Sequence, residues 1–104
     1  MIYEERTYTL HPGTTPAFLK EYEEHGMRTH HRHLGEQVGF FTTDVGVLNQ
    51  VVQIFAFLDT GDRQRRREAL YADSEWLAFV PVLTRYVQHM ENRLLTPTDF
   101  SKLA

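Results

Sequence analysis

Cysteine is absent from this 104-residue chain, which rules out disulfides, thiol catalysis and cysteine–zinc sites. Serine occurs only as Ser74 and Ser101, and each is explained locally, so a serine nucleophile is not indicated. Glycine and proline are sparse, at 6 and 4 residues. Gly35, Gly39 and Gly46 read as turn and strand glycines, not as a loop that cradles phosphate. No apolar run approaches the roughly 20 residues needed to cross a bilayer. The N-terminal Met1-Ile2-Tyr3-Glu4-Glu5-Arg6 lacks the basic and then apolar pattern of a secretory signal. There is no excess of positive charge either. A formal charge of −3 speaks against a nucleic-acid binder, whose footprint is a cluster of cations. These absences lead to the expectation of a cytoplasmic protein without membrane insertion. What is present is ordinary globular composition, 41% hydrophobic and 24% charged, in a chain long enough for one domain over residues 1–104 with a single core.

Residues 2–10, rich in Tyr, Thr and Ile, predict a first strand that His11-Pro12-Gly13 breaks. Thr15 is a candidate N-cap with Pro16 in the first turn, where its missing N–H costs nothing. That helix is expected to run to about His33, bury Phe18, Tyr22 and Leu19, and end at Gly35. Val38–Thr43 and Leu48–Leu58 predict two strands joined by a tight turn at Asp44-Val45-Gly46-Val47. Asp59-Thr60-Gly61-Asp62 opens a helix through Arg63–Ala72, with acidic groups where the helix dipole favours them. Ser74 is a second candidate N-cap, for a short helix that Pro81 should stop. Tyr86–Leu95 is the last strand, and Thr96–Ala104 a polar tail.

The order β-α-β-β-α-β is that of a ferredoxin-like α+β sandwich with an antiparallel sheet. Two helices on a four-stranded sheet cover one face only. The third strand makes that a problem, because Gln50, Val52, Ile54, Ala56 and Leu58 on one side and Asn49, Val51, Gln53, Phe55 and Phe57 on the other are both largely apolar. Burying a Phe or Ile side chain is worth about 1.5–3 kcal/mol, so both faces need cover. A homodimer closed through the sheet face is the expected answer.

The segments Tyr3-Glu4-x-Arg6-Thr7-Tyr8-Thr9-Leu10, Gly39-Phe40-Phe41-Thr42-Thr43 and Leu48-Asn49-Gln50-Val51-Val52 resemble the NIPSNAP family. Asp73-Ser74-Glu75-Trp76 and Glu91-Asn92-Arg93-Leu94-Leu95 extend the likeness nearly to the C-terminus. The resemblance implies a dimeric α/β barrel, in which two ferredoxin-like subunits pair through their sheets. It also implies kinship with small monooxygenases, haem-degrading enzymes, isomerases and lyases that use the barrel interior as a pocket. Where the resemblance leads one to expect a histidine in the third strand, this chain has Gln53, which leaves no imidazole base at that position.

The candidate ligand site is the polar set on the strands. Glu4, Arg6 and Tyr8 share one face of the first strand, and Glu91 and Arg93 share one face of the last, beside His89. If both sets turn away from the helices, they line the barrel interior with Gln53 and suit a small polar or anionic molecule. The arginines would fork a carboxylate, Tyr8 and Gln53 orient it, and Glu4 or Glu91 accept a proton. The competing reading pairs Arg6 with Glu91 and Glu4 with Arg93 as structural ion pairs, since buried charge demands a partner. Among the histidines, His30 and His33 stand at i, i+3 near the end of the first helix, with Glu24 or Glu36 as a third metal ligand at most. The spacing matches no strong metal motif, and neither a metal nor an organic cofactor is expected. Arg63-Gln64-Arg65-Arg66-Arg67 reads as a solvated helix face, and Trp76, Leu77 and Phe79 as core. Haem handling would need an axial histidine inside the barrel, and His89 is the histidine predicted to lie in a strand. Two functional expectations follow: a small-molecule-binding dimer with cofactor-free proton-transfer or oxygenase-type activity, or a non-catalytic assembly module.

Overall fold

The computed structural model describes residues 1–104. Its elements are β1 (Ile2–Leu10), α1 (Thr15–Glu21), a π-helical segment (Tyr22–Gly26), α2 (Met27–Leu34), β2 (Gly39–Thr42), β3 (Gln50–Phe57), α3 (Thr60–Tyr71), α4 (Ser74–Tyr86) and β4 (Val87–Leu95). The strands form one sheet in the order β2-β3-β1-β4, with every pairing antiparallel. This is the expected ferredoxin-like α+β arrangement, with the helices on one face.

The first helical stretch is a continuous rod, because the residues joining α1, the π segment and α2 all keep right-handed helical dihedrals. Its start lies one residue earlier than expected. Thr14 takes the cap position without a side-chain cap bond, and its hydroxyl turns back to the His11 carbonyl. The rod ends at Gly35, whose φ of 84° is costly for a residue with a Cβ. Gly26 closes the π segment for a different reason. A Cβ there would sit 2.7 Å from the Phe79 ring, so the missing side chain is what lets α4 pack close.

Two boundaries differ from expectation. Pro81 does not stop α4, which runs from Ser74 to Tyr86. The proline ring lies on the exposed side of the helix, where the carbonyl left without its usual N–H partner can meet water, and Trp76, Phe79 and Leu83 hold the buried side on both flanks. Asp73 rather than Ser74 caps this helix, accepting from the Glu75 N–H at 2.9 Å. The β2–β3 connection is a loop over residues 43–49 instead of a tight turn. Both Gly46 and Asn49 take positive φ there, and Val45, Val47 and Leu48 are exposed.

Along β3, Val51, Gln53, Phe55 and Phe57 are buried and alternate with half-buried Gln50, Val52, Ile54 and Ala56. Val51, Phe55 and Phe57 meet Phe18, Tyr22 and Leu34 of the rod, Leu70 of α3, and Trp76, Phe79 and Leu83 of α4 in one core. On the side away from the helices, Val52 pairs with Phe41 and Ala56 with Tyr3, which in turn pairs with Leu95. Phe41 is 55% exposed. A broad apolar band is therefore left on the open face of the sheet.

Candidate functional site

Register decides which polar side chains meet. Arg6 lies between Gln53 of β3 and Asn92 of β4, and Glu4 between Phe55 and Leu94. Even-numbered residues of β1 thus sit beside even-numbered residues of β4 and share a face with them. Glu4, Tyr8 and Gln53 are buried beneath the helices, with Arg6 on the same face. Glu91 and Arg93 pair with Thr7 and Glu5 and belong to the open face. Four of the six candidate residues come together, and the other two lie across the sheet from them.

The expected ion pairs change accordingly. Arg93 donates to Glu5 at 2.9 Å, and Glu91 lies 3.2 Å from His89. Arg6 pairs with Glu4 of its own strand at 3.2 Å. Glu4 is completely buried, and one of its oxygens does nearly all the work. Oε2 accepts from Arg63 Nη2 at 2.6 Å and Nε at 3.2 Å, from Arg6 Nη1 at 3.2 Å, and from Asn92 Nδ2 at 2.8 Å. Oε1 is buried without a partner. Burial alone would push the Glu4 carboxyl up, but the bonds from Arg63 and Asn92 and the charges of Arg6 and Arg63 outweigh it and hold the group below its usual range. Burial likewise works against charge on Arg6, and its neighbours Tyr8 and Glu4 overcome it, leaving its pKa raised. The guanidinium edge of Arg6 also meets Tyr8, whose hydroxyl is 3.3 Å from Nε.

A neutral network adjoins this charged cluster through Gln53. Gln37 Nε2 donates to Gln53 Oε1 at 3.0 Å and to the Tyr22 hydroxyl at 2.8 Å. Tyr22 lies 2.7 Å from His30 Nδ1. Because Gln37 occupies the phenol oxygen as a donor, the Tyr22 proton is directed to His30, whose Nδ1 accepts and whose Nε2 carries the hydrogen. His30 stacks on Trp76 at 4.4 Å between ring centroids. Burial, reinforced by the charges of Arg6, His31 and Arg67, pushes its pKa from 6.5 down to about 3. Burial also pushes the Tyr22 phenol up.

Several members of the site were not singled out by the sequence. Arg63 belonged to a run read as solvated, yet it reaches inward to Glu4, and Arg66 of the same run bonds Asp62 at 2.9 Å. Asn92 stood between the two β4 residues that were chosen, and the alternation of the strand was the signal that could have found it. His30 and His33 do not converge. His33 turns to Asp73 at 2.8 Å while His30 enters the core. No group of three or more His, Asp or Glu side chains is placed to hold a metal ion.

The NIPSNAP family model matches residues 3–102. NipSnap homolog 2 of Danio rerio is 34% identical over 98% of this chain. The chain spans about a third of that relative, 35% of its length. A NIPSNAP family protein of unknown function from Agrobacterium tumefaciens has a solved structure that superposes with a TM-score of 0.97 at 42% identity, covering 100% of this chain and 94% of that one. A solved antibiotic biosynthesis monooxygenase is similar in fold alone, with a TM-score of 0.64 at 15% identity over 94% of this chain and 99% of its own. With motifs, fold and family match in agreement over almost every residue, the chain belongs to the NIPSNAP family.

Proposed function

We propose that this protein is a homodimer that binds a small polar or anionic molecule at the cluster of Glu4, Arg6, Tyr8 and Gln53, with Arg63 and Asn92 completing the site. The observation that carries this reading is the asymmetry of Glu4. Four donor contacts converge on Oε2 while the equally buried Oε1 has none. A carboxylate retained only to neutralise cations gains by sharing them between both oxygens. A free buried oxygen beside a guanidinium suits a ligand that brings both a hydroxyl donor and an acid group. The second subunit would cover the apolar band of Phe41, Val52, Ile54 and Ala56, with Glu91 and Arg93 at its rim. An activity at this site would be cofactor-free proton transfer or oxygenation of the bound acid, with Tyr8 beside it. A cytoplasmic setting fits a chain without cysteine.

The second reading is a non-catalytic assembly module. The ion pairs of Glu4 with Arg6 and Arg63 favour it, since they already neutralise much of the buried charge. Native mass spectrometry of tag-free protein separates the two. A dimer that carries an additional small-molecule mass supports the binding site, and a bare dimer supports the assembly module. A monomer overturns the sheet interface in both.

A further inference from the structure

The helices leave β4 partly uncovered on their own side of the sheet, and the space beside it forms a trough. One part is a cavity of about 470 Å³ lined by Tyr71, Val80, Leu83, Thr84, Val87 and Met90 among others. A second, of about 460 Å³, is an open groove over one face of α3, with Arg63 and Arg67 on its floor. Tyr71 lines both. Each volume falls within the range of about 300–1,000 Å³ typical of small-molecule sites. Tyr71 and Met90 are 46% and 45% exposed, so the apolar part presents uncovered hydrocarbon and aromatic surface.

The charge at the α3 end is lopsided. Arg63 bonds Glu4, a carboxylate that Arg6 also claims. Arg67 has no ion-pair partner, and its guanidinium lies 5.6 Å from the centre of the Tyr71 ring. The acidic side chain on this wall, Glu68, is exposed and takes a bond from Gln64. An apolar channel that ends on a free guanidinium calls for a ligand of matching polarity: a hydrocarbon body with one anionic head.

We propose that the trough binds an amphipathic monocarboxylate of medium chain length, with its acid on Arg67 and Arg63 and its hydrocarbon along Val80, Leu83, Val87 and Met90. The proposal rests on reading the Glu4–Arg6 cluster as a ligand site, which it extends outward through Arg63, and it names the class of ligand. Arg67 supplies the fork that recognises a carboxylate. Apolar burial supplies selectivity for chain length, at about a fourfold gain in affinity for each methylene.

Isothermal titration calorimetry of the full chain with acetate, hexanoate, octanoate and decanoate tests this. Two variants accompany it: Arg67→Gln removes the head contact, and Thr84→Trp fills the channel from an exposed position. Circular dichroism checks that both are folded. The expected result is saturable binding that tightens about fourfold per methylene, weakens about tenfold in Arg67→Gln, and loses its dependence on chain length in Thr84→Trp. Equal affinity for acetate and decanoate overturns the trough and leaves the Glu4–Arg6 cluster standing. No binding of any carboxylate also overturns the trough, while the Glu4–Arg6 cluster is decided separately by the mass carried by the native protein. Decanoate that saturates only protein diluted to monomer places a second copy in the trough, and also overturns the proposal.

Discussion

A histidine on a helix invites expectations of metals or proton transfer, but His30 is set by its surroundings to stay neutral. Tyr22 gives it a proton to accept, Trp76 covers one ring face, and nearby cations oppose a second proton. The unfolded chain binds that proton below pH 6.5 and the folded one only below about 3, so stability from this residue is full above 6.5 and declines as the pH falls. The loss is about 1.4 kcal/mol per pH unit across that window. Nitrogen-15 NMR of the imidazole should find the Nε2–H tautomer unchanged from pH 8 to 4. A histidine that titrates near 6.5 would contradict this placement. None of it is legible locally, because Tyr22, Gln37 and Trp76 come from separate stretches of chain. Arg63 was hidden in the same way, 59 residues from the Glu4 it neutralises.

Among the elements, the strands were easier to read than the helices' ends. Alternation told correctly which residues share a face. It could not tell which face meets the helices, since β3 is apolar on both sides, and the parity of β1 against β4 emerges only in the register. That is why Glu4, Arg6, Tyr8 and Gln53 gathered while Glu91 and Arg93 went elsewhere. Pro81 misled because a local rule met a helix anchored on both flanks by buried aromatic and aliphatic side chains. Gly26 was not singled out at all, and its role is the opposite of a helix breaker. Its φ of −118° suits any residue, so Gly26→Ala should gain about 1 kcal/mol of helix propensity. It also drives a Cβ to 2.7 Å from a buried ring, and overpacking costs about 1–3 kcal/mol. The clash should win by about 1 kcal/mol in chemical denaturation, and the smaller Phe79→Leu should recover part of the loss when combined with it. Additive destabilisation in the double variant would argue that the two residues do not press on each other.

For the whole molecule, the proposed dimer makes the open sheet face the decisive surface. Ile54 lies on it, half-buried, and its neighbours across the sheet are Gly39 and Glu5. Ile54→Lys would place a charge in the middle of the interface while leaving the helix-side core untouched. The expected outcome is a folded monomer by sedimentation velocity at concentrations where the parent chain is a dimer. A dimer that survives this change would have to be held by a different surface.

The π-helical segment has a consequence for the whole rod. Phe18, Tyr22, Gly26, His30 and Leu34 are all buried, an unbroken interval of four. A helix of 3.6 residues per turn carries such a row about 40° around its axis at each step, which would swing the last member far from the first. The wide turn at Tyr22–Gly26 winds more slowly and gives back part of that rotation. It acts as a phase correction, keeping one row of side chains aimed at the sheet. Because the wide turn holds one residue more than an α-helical turn would, deleting a residue from the exposed Glu23–Glu24 stretch would restore a regular helix and leave His30 and Leu34 still facing the core.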